Sequence, residues 1–294
     1  MSVGVSAPLV ESAPAKVNLT LRVLGHRSDG YHEIESLVAF AEFGDRLSFA
    51  PGRGLTLTIN GPTAAKAGET DGNLVLKAAR EMAARRSGLT LGAFRLDKRL
   101  PVAAGLGGGS ADAGAALRLI ARANGLTRDD PRLYAVARAI GADVPVCLDS
   151  SSRIMRGIGD ILSEPLTLPA LHAVLVNPGV AVATKEVFAG WASAPAPSSA
   201  TELTAISNLS TREELLEFLG AQSNDLERPA IALAPVIADV LSALAALPGC
   251  RLARMSGSGA TCFGLFATVT AAQKAAKLLR GKFPHWWIRA TVLG

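Results

Sequence analysis

The segment "PVAAGLGGGSADAGAAL", residues 101–117, constrains the fold more than any other part of the chain. It places four glycines in five positions, Gly105 and Gly107 to Gly109, directly before an alanine-rich stretch. Glycines lose more conformational freedom on folding than other residues and bury no side chain, so an ordered run of them needs a compensating role. The stretch that follows carries apolar residues at helical spacing. The pattern therefore predicts a helix entrance, with Ser110 as its N-cap.

A bare backbone ahead of a helix is typical of an anion site, because backbone N–H groups can converge there and the helix dipole favours negative charge. The segment is not a P-loop, since no lysine follows Gly109. It is not a dinucleotide fingerprint either, since Pro101 immediately precedes it. Phosphate binding is the interpretation we favour, and a tight structural turn is the alternative.

The length of 294 residues, 49% of them hydrophobic, suffices for one large or two medium domains, and we expect two. The most apolar stretch, residues 230–248, is interrupted by Pro235 and has one-sided apolar spacing. It is predicted to be a buried amphipathic helix and not a membrane span. Cys147, Cys250 and Cys262 lack the spacing of a disulfide framework or a zinc site, so we expect reduced thiols.

The net charge of +5 raises the question of a nucleic-acid partner. The basic residues are scattered and are not interleaved with aromatic ones, so nucleic acid is not expected as a partner. A mildly positive surface also attracts a polyanionic small molecule such as ATP. The N-terminus has no basic start followed by an apolar core, so we expect no export or transit signal and a cytoplasmic location.

Hydrophobic periodicity predicts an α+β chain without internal repeats. We expect strands in 15–24, 37–52, 91–101 and 285–293, and a strand followed by a turn in 171–184. We expect helices in 73–88, 111–123, 131–140, 211–220 and 230–247, a helix starting near 185, and a "SGSGA" turn between two strands. Residues 192–203 are rich in proline, alanine and serine and are predicted to be a mobile loop.

Three segments, in this order, resemble the three motifs of the GHMP small-molecule kinases. They are "APAKVNLTL" near the start, the glycine segment, and "ARMSGSGATCFGLF" at residues 253–266. The resemblance spans nearly the whole chain. It implies a two-domain GHMP kinase fold, with an S5-like N-terminal ATP-binding domain over residues 1–154 and a ferredoxin-like C-terminal domain over residues 155–294. In that family the active site lies in the cleft between the domains.

Further segments narrow the resemblance to GHMP kinases that phosphorylate a cytidine-diphosphate-linked polyol in the non-mevalonate isoprenoid route. These are "AKVNLTLRVLGHRSDGYHEIESL", "GADVPVC", "NPGVAVATKEVF" and "SNDLERPAIALAPVI". The resemblance implies ATP and Mg²⁺ as cofactors and a small-molecule substrate. It leaves open whether the protein is a monomer or a homodimer. We expect no carboxylate dedicated to the metal, which the ATP phosphates and water would hold, with the Ser110 hydroxyl as a further candidate ligand.

Lys16 and Asp143 match the catalytic pair of these kinases. Phosphoryl transfer needs a positioned hydroxyl and a cation beside the moving group, which suits a carboxylate and an ammonium. Without the resemblance, Lys16 would be a solvated strand residue and Asp143 a turn former. Whether Asp143 removes a proton or only orients the hydroxyl is left open. The residues implied to bind ATP are Pro101, Ala103, Gly105, Leu106, Gly107, Gly108, Gly109 and Ser110, with Leu74 and Lys98 near the adenine.

Tyr31, His32 and Phe188 match positions that hold the cytosine ring. Stacking on aromatic faces holds any base, and a histidine can hydrogen-bond to the pyrimidine edge. Simple burial of Phe188 at a helix start is the alternative for that residue. Asn18 and Thr184 match positions on the polyol or diphosphate side. A homoserine- or mevalonate-type kinase would lack the cytosine site, and a non-catalytic nucleotide-binding protein would not need the catalytic pair.

Overall fold

The computed structural model describes residues 7–68, 71–193, 203, 206 and 209–294. The strands are β1 (Leu9–Asn18), β2 (Arg22–His26), β3 (His32–Pro51), β4 (Thr56–Asn60), β5 (Gly92–Asp97), β6 (Arg153–Gly157), β7 (Ile161–Leu162), β8 (Leu171–Asn177), β9 (Cys250–Met255), β10 (Cys262–Phe266) and β11 (Trp287–Leu293). The helices are α1 (Leu74–Arg85), α2 (Gly108–Ala123), α3 (Pro131–Ile140), α4 (Val144–Asp149), α5 (Thr184–Ser193), α6 (Arg212–Gly220), α7 (Glu227–Leu233), α8 (Val236–Ala245) and α9 (Val269–Lys282).

The chain forms two compact units that are not consecutive in sequence. One unit consists of the described residues within 7–15, 44–102 and 107–150, and the other of the described residues within 16–43, 103–106 and 151–294. The glycine segment contributes to both units. The division into domains at residues 154 and 155 therefore stays a prediction.

The first unit pairs a small sheet with four helices. The second part of β3 runs antiparallel to β5, and β4 runs parallel to β5. Phe49 and Phe94 are register partners whose rings stack at 4.5 Å between centroids, and both are fully buried. Helix α2 packs against α1, α3 and α4, and most of its buried residues are alanine or leucine. Small side chains on α2 allow the neighbouring helices to approach closely. This packing fixes the position of the start of α2, directly after the glycine segment.

The second unit is built on an antiparallel sheet in the order β3, β11, β8, β10, β9. β2 forms a hairpin with the first part of β3, which also pairs with β6. Helices α8 and α9 pack on the sheet. Apolar residues from both helices and from β8 and β10 share one core cluster, which includes Val174, Phe266 and Leu279. This packing holds the β9–β10 hairpin and the end of β1 in place.

Two predicted helix boundaries are wrong. Helix α2 begins at Gly108, so Ser110 is its third residue, and the N-cap is Gly107 in the left-handed region at φ 60°. Glycine adopts this conformation without a steric penalty, which lets the turn tighten earlier than a serine cap would. The predicted helix over 230–247 is two helices, α7 and α8. They break at Ala234 and Pro235, because proline cannot donate the i to i−4 hydrogen bond.

Short helix α4 follows Asp143 directly and was not predicted. Most of the predicted mobile loop over 192–203 lies outside the described residues, where only Ala192, Ser193 and Leu203 are placed. Among the helices that the structure describes, none combines the length and the apolar character needed to cross a membrane. The three cysteines are free thiols.

Candidate active site

The start of α2 presents backbone N–H groups without helical acceptors. The first hydrogen bond of the helix runs from the N–H of Ala111 to the carbonyl of Gly107 at 2.8 Å, so the N–H groups of residues 108–110 precede it. Around Gly109, an added Cβ would meet only the Leu74 side chain, at 3.6 Å. The sixteen-residue helix thus begins with an uncovered amide cluster at its positive end, which fits the phosphates of a nucleotide.

Beneath this helix start lies a buried cluster of three charged side chains. Lys98 Nζ donates to Asp45 Oδ2 at 2.6 Å and to Asp112 Oδ2 at 2.5 Å. Asp45 also accepts the backbone N–H groups of Arg99 and Leu100, at 2.5 and 2.8 Å. Burial alone would lower the pKa of Lys98, but the two carboxylates raise it above its ordinary value. The ammonium therefore stays charged.

Lys98 is thus 4% exposed and held by two carboxylates below the loop, and a Cβ on Gly108 would come within 3.3 Å of its Nζ. Leu74, the first residue of α1, lies beside Gly109. The role of both residues near the adenine stays a prediction. The geometry adds that Lys98 supports the start of α2 from inside, a role that its place before the glycine segment did not suggest.

Asp112 lacks the backbone donors that Asp45 has. Its Oδ1 has no hydrogen-bond partner among the described residues, and the residue is 1% exposed. Burial, together with the nearby Asp45 carboxylate, raises the pKa of Asp112 from 3.8 to about 7, against the opposing effect of Lys98. Two carboxylates sharing one ammonium leave an excess negative charge, and Asp112 is the group that takes up a proton.

We expect Asp112→Asn to change how stability depends on pH. A carboxyl whose pKa is higher in the folded than in the unfolded state stabilises the fold while protonated, and this contribution is lost as pH rises toward the folded pKa. The wild type should therefore lose stability between about pH 4 and about pH 7, and the variant should lose less over the same range. Urea unfolding at about pH 5 and about pH 8 measures the free energy of unfolding of the wild type and of the variant. An equal change with pH in the two proteins would contradict this account. Asp45→Asn is the contrasting control, because Asp45 has three donors and its loss should destabilise at both values.

The hairpin between β9 and β10 braces the other end of the glycine segment. Ser256 Oγ donates to the carbonyl of Gly105 at 2.8 Å, and the N–H of Thr261 donates to the carbonyl of Ala104 at 3.1 Å. Gly105 has φ +74°, and a Cβ there would lie 2.3 Å from the carbonyl oxygen of Ser256. Only glycine fits this approach. The "SGSGA" turn thus fixes the loop that carries the candidate phosphate site.

Lys16 and Asn18 lie at the end of β1 next to the same elements. The N–H of Lys16 donates to the carbonyl of Leu106 at 2.9 Å, and Lys16 is 4% exposed. Asn18 donates its backbone N–H to Ser256 Oγ at 3.0 Å and its Nδ2 to Ser36 Oγ at 2.8 Å. Asn18 Oδ1 is buried and has no partner among the described residues. An unsatisfied buried amide oxygen here is available to a ligand donor.

Asp143 occupies the turn before α4. Its carbonyl accepts the N–H of Cys147 at 3.3 Å, and Pro145 in the first turn of α4 fixes the direction of the helix. Asp143 is partly exposed, so its carboxylate is not sealed in the core. In the sequence, the "GADVPV" segment indicated Asp143, and in the structure the proline of this segment lies in the first turn of α4.

Tyr31 and His32 follow the tight turn between β2 and β3. The N–H of Tyr31 donates to Asp29 Oδ1 at 3.1 Å, and its carbonyl accepts the N–H of Arg27 at 2.8 Å. The Tyr31 side chain is 59% exposed, so it is not a core residue. The ring of His32 stacks on Phe188 at 4.8 Å between centroids. Burial and the nearby His26 lower the pKa of His32, so its imidazole is neutral near pH 7.

Thr184 is the first residue of α5 and contacts the same hairpin that braces Gly105. Its Oγ1 and Ser258 Oγ are 2.8 Å apart, and both side chains are exposed. Asn177, just before this region, donates its Nδ2 to Thr261 Oγ1 at 2.9 Å. The second unit thus brings Asn18, Gly105 and Thr184 to one hairpin, and Lys16 is bonded to Leu106 next to Gly105.

The residues that hold this hairpin were not assigned a role from the sequence. Asn224 Nδ2 donates to the carbonyls of Met255 and Gly257, both at 2.8 Å, and Glu227 accepts the N–H of Met255 at 2.8 Å. Arg254 donates to the carbonyls of Leu19, Leu219 and Gln222. Burial lowers the pKa of Arg254 to about 10. The sequence feature that could have indicated residues with this role is the polar "SNDLE" run directly before an apolar helix.

Within the parts of the chain that the structure describes, no three His, Cys, Asp or Glu side chains are grouped closely enough to hold a metal ion.

Comparison with known proteins defines the class to which this fold and site belong. The GHMP kinases N terminal domain matches residues 73–151, and the GHMP kinases C terminal model matches residues 202–285. The predicted two-domain GHMP kinase fold is thereby confirmed. The crystal structure of a homoserine kinase from Cytophaga hutchinsonii is similar in fold, with a TM-score of 0.70 at 22% identity over 100% of this chain and 96% of that one.

Proteins that are more similar to this chain than the homoserine kinase share one name. A relative from Methylobacterium radiotolerans, 56% identical over 97% of this chain and 99% of its own length, is named 4-diphosphocytidyl-2-C-methyl-D-erythritol kinase. So is one from Rhodopseudomonas palustris, 53% identical with the same coverage. A crystal structure titled 4-(cytidine 5'-diphospho)-2C-methyl-D-erythritol kinase has a TM-score of 0.76 and 34% identity over 97% of this chain and 99% of that one. The chain belongs to the 4-diphosphocytidyl-2-C-methyl-D-erythritol kinases of the GHMP family, and it is an ATP-dependent phosphotransferase.

Proposed function

We propose that this protein transfers the γ-phosphoryl group of ATP to a hydroxyl of 4-diphosphocytidyl-2-C-methyl-D-erythritol, in the non-mevalonate route to isoprenoid precursors. The names of its relatives support this substrate. The observation that carries the proposal is the group formed by exposed Tyr31 and by His32 stacked on Phe188. A homoserine or mevalonate kinase has no use for a base-binding site, whereas a cytidine-linked substrate needs one.

ATP binds with its phosphates at the start of α2. Residues 105–110 form the phosphate loop, with Pro101, Ala103 and Leu106 as part of the same segment, and the helix dipole and the N–H groups of residues 108–110 meet the negative charge. Mg²⁺ bound with ATP would be held by phosphate oxygens, water and the Ser110 hydroxyl, and it would supply charge neutralisation. Lys98 and Leu74 complete the nucleotide side of the site.

Lys16 and Asp143 act on the reacting groups. A transferred phosphoryl group develops charge on its outer oxygens, and the Lys16 ammonium stabilises that charge. The Asp143 carboxylate accepts a hydrogen bond from the substrate hydroxyl and so directs its oxygen toward the phosphorus. Burial of Lys16 strengthens this effect, because charge interactions are stronger away from water.

The cytosine ring stacks on the exposed Tyr31, with its pyrimidine edge toward His32 and the neighbouring Phe188. A base cannot enter between His32 and Phe188, because their centroids are only 4.8 Å apart. The neutral imidazole of His32 provides one donor and one acceptor for the pyrimidine edge. Asn18 and Thr184 bind the polyol or diphosphate part, for which the unpaired Oδ1 of Asn18 offers an acceptor for a hydroxyl. The cytoplasmic location and the monomeric or homodimeric state belong to the same proposal.

Tyr31→Ala should weaken binding of the polyol substrate and leave binding of ATP unchanged. Stacking of a base on an aromatic ring is worth about 1 to 3 kcal/mol, so the KM for the cytidine substrate should rise by about one to two orders of magnitude. Tyr31→Phe keeps the stacking face and should behave like the wild type. Steady-state kinetics with each substrate varied at saturating levels of the other measures both effects. An equal rise in the KM for ATP would remove Tyr31 from the base site.

One assay tests the function itself. The protein is incubated with Mg-ATP and, separately, with 4-diphosphocytidyl-2-C-methyl-D-erythritol, homoserine, mevalonate or no acceptor, and ADP release is followed. We expect turnover only with the cytidine-linked polyol. Turnover with homoserine or mevalonate instead would assign another kinase activity, and ATP binding without any transfer would make the protein a non-catalytic nucleotide binder.

A further inference from the structure

Trp191 lies beside the aromatic residues of the candidate base site and has been given no role so far. Its indole ring is perpendicular to the ring of His32, with 5.8 Å between centroids. His32 also contacts His26 edge-on at 5.0 Å and stacks on Phe188. His32 is thus surrounded by three rings, of which two belong to α5.

The position of Trp191 on α5 continues a row of candidate substrate residues. Thr184, Phe188 and Trp191 are spaced four and three residues apart, so they follow one another along one face of the helix. Val187, the one fully buried residue of α5, packs into the core. The row therefore runs from the exposed Thr184 at the helix start to the half-buried Trp191 near its end.

Two polar atoms in this aromatic group are buried without a hydrogen bond. Trp191 Nε1 and His32 Nε2 are both hidden from solvent and have no partner among the described residues. A buried indole N–H normally finds an acceptor, because leaving it unpaired costs folding free energy. Two such atoms on adjacent rings point to a ligand that brings its own polar edge into an aromatic site.

We propose that Trp191 is a further specificity residue of the base site, and that its indole N–H donates a hydrogen bond to an acceptor on the pyrimidine edge of the substrate. This inference rests on the proposed function. An indole can only donate, so its partner is N3 or O2 of the base. The neutral imidazole of His32, held by its three neighbours, takes the adjacent position on the same edge.

Trp191→Phe tests the role of the N–H, because it keeps an aromatic ring and removes only the donor. Loss of one neutral hydrogen bond should raise the KM for the cytidine substrate about 3- to 10-fold, with kcat and the KM for ATP unchanged. Trp286→Phe is the matched control, since Trp286 stacks on Phe283 at 3.8 Å and has no part in the base site. An unchanged KM for the cytidine substrate, or an equal rise in both KM values, would overturn the proposal.

A uridine analogue of the substrate identifies the acceptor. Uracil carries an N–H at N3 and cannot accept a hydrogen bond there. If the Trp191 indole donates to N3, Trp191→Phe should therefore weaken binding of the cytidine substrate more than binding of the uridine analogue. A bond to O2 predicts equal weakening, because both bases have this oxygen. Either pattern supports the proposal, and weakening of the uridine analogue alone contradicts it.

A binding experiment separates this inference from the proposed function. The chain has three tryptophans, so the Trp286→Phe/Trp287→Phe variant leaves Trp191 as its sole indole fluorophore. Titration with cytidine monophosphate should change its emission, and titration with ADP should not. No response to cytidine monophosphate would overturn the inference even if the wild type phosphorylates the polyol. A clear response in a protein that fails to phosphorylate it would overturn the proposed function alone.

Discussion

Asp143→Asn should lower kcat by about 10² to 10⁴-fold while leaving ATP affinity close to that of the wild type. The amide keeps the size of the side chain and its place before α4, but it is a far weaker acceptor for the hydroxyl proton. Lys16→Ala should cause a loss of similar size, because it removes a buried cation from the transferred phosphoryl group. Rapid-quench measurement of the chemical step, together with ATP titration, separates turnover from binding.

Exposed residues of the same types provide the controls for these variants. Asp129→Asn and Lys277→Ala change surface side chains and should leave kcat within about twofold. Near-normal turnover in Asp143→Asn or in Lys16→Ala would remove that residue from the mechanism. A large loss of ATP affinity in either variant would instead indicate damage to the nucleotide site.

Gly105→Ala should disrupt the phosphate loop, although it adds only a methyl group. The new Cβ would lie 2.3 Å from the carbonyl oxygen of Ser256, so the loop or the β9–β10 hairpin must move. We expect a loss of about 3 kcal/mol in the free energy of unfolding and a rise of about tenfold or more in the KM for ATP.

Gly125→Ala isolates the steric part of this effect. Gly125 also has a positive φ, +62°, but its Cβ would meet nothing within 4 Å. This variant should lose only the backbone cost of about 1 kcal/mol and keep normal kinetic constants. Urea unfolding and ATP kinetics on both variants make the comparison. Equal behaviour of the two would show that the contact with Ser256 does not matter for the loop.

Local sequence patterns carried much of the architecture. Asn73 caps α1, and α3 spans residues 131–140 as expected, because a capping side chain and a proline at the first helical position leave little choice of register. The glycine segment before α2 could also be recognised from the sequence alone. A run of residues without side chains has few roles other than close approach of the backbone to a partner.

Long-range charge and ring contacts could not be derived in this way. Lys98 looks like any lysine at a strand end until Asp45 and Asp112 are found beside it. Trp191 looks like a core residue until its N–H is found without a partner among the described residues, on a ring that contacts the ring of His32. Asp45 and Trp191 both depend on neighbours more than 50 residues away in the chain. No local rule of spacing contains that information.

The position of β11 has a consequence for how the chain is made. This last strand, Trp287–Leu293, lies inside the sheet of the second unit, paired along its length with β8 and joined to β3 where Leu293 faces Ala41. Gly294 and Phe40 then exchange both of their backbone hydrogen bonds. A ribosome adding about 5 to 20 residues per second needs roughly 10 to 50 s to proceed from β3 to β11. From the time each strand is made until β11 is made, the edges of β3 and β8 that β11 will cover lack their native partner. Completion of this sheet therefore has to wait until the chain has been made through Leu293, and the nascent chain is a natural client for chaperones that cover unpaired strand edges.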